Sequence, residues 1–87
     1  MPKLIVMADP MREVEIFEVF NADGGMHKIS QLQIPQKSVD FIRNYSNSVK
    51  EIVDVTYVGP KDYVTYFVSQ VNNLEFAKAH RMEDNNA

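Results

Sequence analysis

The segment Val53-Asp54-Val55-Thr56-Tyr57-Val58-Gly59-Pro60-Lys61-Asp62 constrains the fold more than any other part of the chain. Its first half reads as a buried strand running from about Lys50 to Val58. It stops at Gly59-Pro60, where proline cannot donate to a ladder and glycine eases the turn. The residues after Pro60 admit two readings. As a helix, Pro60 takes an early position where its missing N–H does no harm, and Val64, Phe67, Val68 and Val71 share one face. As a strand, Tyr63-Val64-Thr65-Tyr66-Phe67-Val68 is β-prone and Gly59 to Asp62 becomes a hairpin turn. Apolar steps of three and four persist to Val71, and Asn72-Asn73 offers a natural stop, so the helix is the expectation.

Upstream, Leu4-Ile5-Val6-Met7-Ala8 is a continuous apolar run of the kind carried by a strand buried on both faces, and Asp9-Pro10 ends it. From Arg12 to Phe20 acidic and apolar residues alternate, with a slip of parity near Phe17 that predicts a bulge. Asn21-Ala22-Asp23-Gly24-Gly25 is a hairpin turn, because its Asp-Gly and Gly-Gly pairs supply positive φ angles. The return strand is Met26 to Ile34, with Ser30, Leu32 and Ile34 on one face and Pro35 closing it. The period then changes. Ile42, Tyr45, Val49 and Ile52 fall at helical spacing, and Val39 and Phe41 widen the stripe. Asp40 is expected in the first turn of that helix, where the dipole favours an anion, and Asn44, Ser46, Asn47 and Ser48 predict fraying before Val49. Leu74 to Ala79 reads either as an extension of the second helix or as a short edge strand with Leu74 and Phe76 on one face.

These elements predict an α/β (α+β) fold: an antiparallel three-strand meander, then helix, strand and helix, with a fifth strand in prospect. The right-handed crossover rule lays the fourth strand parallel to the first. In element order this resembles the core of the ribonuclease H-like fold. Residues 1–82 form one domain on this reading, and 83–87 a polar tail. At 87 residues and 10.0 kDa a single core is marginal, so association is expected. The absence of cysteine excludes disulfides, thiolate metal sites and a thiol nucleophile. A net charge of -3, with nine basic and twelve acidic residues interspersed, leaves no basic stripe for a nucleic-acid backbone. The apolar run near the N-terminus is too short to span a membrane, so a soluble, cytoplasmic protein is expected.

The ribonuclease H-like resemblance implies a metal-dependent nuclease with converging carboxylates, for which Asp9 and Asp54 are the nearest candidates. Their positions argue otherwise. Asp9 closes its strand and Asp54 opens its own, which suits a turn former and an outward strand residue. His27 and His80 have no partner at ligand spacing and read as surface residues. No catalytic residue, metal ligand or cofactor is therefore assigned. A small anionic ligand or a nucleotide phosphate has its best candidate site at Gly59, Pro60 and Lys61 with Tyr57 beside them, at a helix start, and a second in the Asn21–Gly25 turn, every residue of which a plain hairpin also explains. Pro60 removes a donor there and Asp62 adds a like charge. Phe17, Phe20, Tyr63, Tyr66, Phe67 and Phe76 exceed what two helices on one sheet can cover, so Phe17, Tyr63, Tyr66 and Phe67 are expected at an interface. The predicted function is a non-catalytic module that binds another protein or itself, as an inhibitor or accessory factor that occupies a partner. Small proteins of viruses and mobile elements often work this way. A homodimer through the edge at Met26 to Ile34, or through the second helix, is the first expectation.

Overall fold

The strand that opens the chain, β1 (Lys3–Asp9), is flanked on one side by β2 (Ile16–Asn21) and on the other by β4 (Val53–Val58). A computed structural model describes residues 2–9, 16–32, 35–59 and 61–81; the proposed tail at 83–87 lies outside them. The remaining elements are β3 (His27–Leu32), α1 (Pro35–Val49), α2 (Lys61–Asn72) and β5 (Ala77–Arg81). Together they form one five-stranded sheet in the order β3-β2-β1-β4-β5. β1, β2 and β3 make an antiparallel meander, β4 is parallel to β1, and β5 is parallel to β4. The expected order of strands and helices is thus the one observed, and the prospective fifth strand is present. α2 also settles the segment after Gly59 as a helix that stops at Asn72.

Register explains which residues are inside. Val6 lies between Val19 and Tyr57, and Leu4 lies beside Val55, which in turn lies beside Ala79. These residues, with Phe17, Val53 and Ala77, are buried under Val39 and Ile42 of α1 and Phe67 and Val71 of α2. The helices touch each other as well as the sheet, so both lie on one face. β1 is accordingly not buried on both sides: Leu4 and Val6 are covered, while Ile5 and Met7 on the opposite face are only half-buried.

Several local expectations are corrected. α1 runs to Val49 without fraying, because Asn44, Asn47 and Ser48 face solvent while Val39, Ile42 and Ser46 are buried and override weak propensity. The Ser46 hydroxyl donates to the Arg43 carbonyl at 3.0 Å. β4 therefore starts at Val53, and Ile52 lies beyond the helix, 41% exposed. The first turn of α1 holds no acid; Asp40 sits further along and pairs with Arg43 at 3.0 Å. The β2–β3 bulge falls between Val19 and Phe20 rather than at Phe17. β5 begins at Ala77 and turns Ala77 and Ala79 inward, leaving Leu74 and Phe76 in the approach to it.

Candidate functional site

Gly59 follows β4 at the end where the parallel strands β1 and β4 finish and α2 begins, the place where α/β sheets offer ligand sites. Its φ of +155° is one that side chains rarely adopt, and a Cβ there would lie 2.9 Å from the Ala8 Cβ and 3.1 Å from the Tyr57 ring. Close packing alone therefore requires the glycine. Tyr57 is fully buried, with its ring 5.2 Å from that of Phe67 and 6.3 Å from that of Phe17. It forms part of the core and presents no wall to a ligand, which corrects its assignment to the anion site. Lys61 is the first residue of α2, and Pro60 lies outside the described residues.

The two aspartates proposed for metal chemistry lie far apart along the sheet. Asp54 lies beside Lys3, and Asp9 is six residues further along β1, about 20 Å away at roughly 3.3 Å per residue. Two metals about 4 Å apart cannot be bridged by such a pair. Among the described residues no group of His, Asp or Glu is placed to hold a metal ion. Asp54 instead meets a residue that sequence spacing gave no reason to pair with it. His80 on β5 places Nε2 2.9 Å from Asp54 Oδ1 and 3.3 Å from Thr56 Oγ1. One ring nitrogen faces both partners, whereas a catalytic relay engages the two nitrogens on opposite sides. The contact crosses 26 residues, and only the parallel β4–β5 register brings it about.

The four residues expected at an interface separate sharply. Phe17 and Phe67 are fully buried, so their assignment is corrected: both are core. Tyr66 is 41% exposed, but its hydroxyl donates to Gln36 Oε1 at 2.8 Å and ties α2 to the start of α1. The Tyr63 side chain lies outside the described residues. The hairpin turn is likewise consumed by structure. Asn21 Oδ1 accepts the Asp23 N–H at 2.9 Å, and the Asp23 carboxylate accepts the Lys3 N–H at 3.2 Å. A polar cleft of about 230 Å³ between α1 and the α2–β5 turn is lined by Arg43, Asn47, Asn73 and Glu75 among others, and Arg43 is already held by Asp40.

The surface left over is the sheet itself. No described helix covers the face opposite α1 and α2, and strand register sets its residues in rows. One row runs Lys28, Phe20, Ile5, Thr56, His80; the next runs Gln31, Glu18, Met7, Val58. Ile5, Met7, Ile16, Phe20 and Val58 are half-buried, with charged or polar residues on both flanks. Lys28 is held there by Glu18 at 2.9 Å.

The two sheet edges differ. Val53 donates its N–H to the Phe76 carbonyl, which turns the Ala77 and Ala79 backbone away from β4. Asn72, the last residue of α2, fills that edge: its amide donates to the Ala79 carbonyl at 3.1 Å, and its Oδ1 accepts the Ala79 N–H at 2.8 Å. Among the described residues no group occupies the β3 edge in this way.

The chain matches no family model and no curated protein. No helix among the described residues is long and apolar enough to cross a membrane.

Proposed function

We propose that this protein is a non-catalytic module that works by binding protein, a second copy of itself included, and acts by occupying its partner. The observation that carries the reading is the sheet face that no described helix covers, where Ile5, Met7, Ile16, Phe20 and Val58 form an apolar belt whose rows also carry Lys28, Glu18, Thr56 and His80. A belt of this kind, rimmed by Lys28, Glu18, Asp54 and His80, has the anatomy of an interface with an apolar centre and a polar rim. Chemistry finds no comparable support among the described residues, since Asp9 and Asp54 lie far apart along the sheet and the His80–Asp54 contact has no relay geometry. Sedimentation equilibrium of the whole chain over a wide concentration range, together with the Phe20→Lys and Met7→Lys variants in partner capture, tests the reading. Partner capture that weakens with a charge in the belt is the expected result. A chain that stays monomeric and captures the same set of proteins with and without those charges overturns it.

A further inference from the structure

We propose that a second copy of this chain adds its β3 antiparallel to the exposed edge of β3, across a two-fold axis, so that the two sheets become one. The inference rests on the self-association reading and names its surface. Three observations carry it.

The first is the asymmetry of the edges. A strand edge presents unpaired N–H and C=O groups that invite another strand, and proteins that stay monomeric blunt such edges. Here the β5 edge is blunted at its middle, where Asn72 takes both backbone groups of Ala79. A β3 edge joining a β5 edge would be head-to-tail, leave a free edge at each end and grow without closure. Asn72 obstructs that route. Joining β3 to β3 consumes, in each copy, the edge that no described group occupies and closes the assembly at two copies.

The second is charge. Lysine on an edge strand usually repels a like strand, but the lysine of β3, Lys28, is held by Glu18 at 2.9 Å and bonded to Gln31. Two copies can meet without opposing unbalanced charges.

The third is exposed apolar surface. Met26 is 54% exposed beside the strand, and Ile29 is 40% exposed within it. Ile29 is the extra residue of the bulge, because Val19 pairs with Ser30 and Phe20 with Lys28. A bulge can itself deter pairing, yet the residue it leaves exposed here is an isoleucine.

The test combines sedimentation equilibrium with amide hydrogen exchange followed by NMR on the full chain at low and high concentration. Amides of His27–Leu32 should slow as concentration rises, and Ile29→Lys and Met26→Lys should each raise the dissociation constant at least tenfold, whereas Phe20→Lys should leave it within twofold. Both edge residues are exposed, so folding survives the substitutions. A dimer with β3 amides unchanged, or one weakened by Phe20→Lys and not by Ile29→Lys, overturns the edge and leaves self-association standing. A chain that is monomeric into the millimolar range overturns both. Protection of β3 only when an extended foreign peptide is added overturns the second copy as occupant.

Discussion

Replacing Gly59 by Ala separates two explanations of the glycine at the β4–α2 junction: a packing requirement, or backbone freedom kept for a phosphate. The new Cβ would sit 2.9 Å from the Ala8 Cβ and 3.1 Å and 3.2 Å from two atoms of the Tyr57 side chain. Tyr57 cannot yield easily, because it is fully buried between Phe17 and Phe67. Overpacking of this kind costs about 1–3 kcal/mol, and holding a non-glycine residue at a φ of +155° adds about 1–3 kcal/mol. A total of about 2–6 kcal/mol is expected, or a fall in Tm of about 8–48 °C for a domain this small. Urea unfolding followed by far-UV circular dichroism measures it. Ala8→Gly in the same chain removes the shortest contact and leaves the backbone term, so Gly59→Ala should cost about 1 kcal/mol less on that background. A Gly59→Ala protein within about 0.5 kcal/mol of the parent would refute the packing account and return the junction to candidacy as a ligand site.

Asn72→Ala removes two hydrogen bonds and leaves the Ala79 backbone open; a loss of about 1–3 kcal/mol is expected, and light scattering should show species larger than those of the parent as the second edge becomes available. Lys50 sits at a φ of 57° after the last turn of α1, so Lys50→Gly should raise the unfolding free energy by about 0.5–1 kcal/mol. Phe67→Ala should cost about 3–5 kcal/mol as a core truncation, while Tyr66→Phe, which loses one exposed hydrogen bond to Gln36, should cost less than about 1 kcal/mol; thermal melts of the pair check the division between core and surface on α2.

Short-range signals account for what was legible in the sequence. The Asp23-Gly24-Gly25 turn, the change of period after Pro35 and the stop at Gly59 are each written within a few residues, and together with the crossover rule they yield the order of the strands. Burial is legible only as parity. Phe17 and Tyr66 both look like surplus aromatics in a linear reading, yet the pairing of Ala8 with Phe17 puts Phe17 inside, and the phase of α2 leaves Tyr66 at its surface. The Asp54–His80 contact and the Asn72 plug join residues from elements whose register depends on β5, and β5 is marked by little more than two alanines. Asn72 looks like a helix stop, which it is; its second role appears only once Ala79 is known to turn its backbone outward.

The proposed edge pairing and the proposed face binding would reinforce each other for a geometric reason. Antiparallel pairing of identical strands needs a two-fold axis perpendicular to the sheet, and such an axis keeps like faces on the same side. Both helical layers of the edge-paired dimer then lie on one side, and both apolar belts of Ile5, Met7, Phe20 and Val58 lie together on the other. A partner spanning that surface engages two belts at once, and its second contact is made at the high effective concentration set by the first. Ile29→Lys, which changes no residue of the belt itself, should therefore weaken capture of such a partner by at least tenfold, and a chemically cross-linked dimer should restore it. Equal capture by Ile29→Lys and parent chains, with dimerisation lost in the variant, would show that each belt works alone and that the edge serves assembly only.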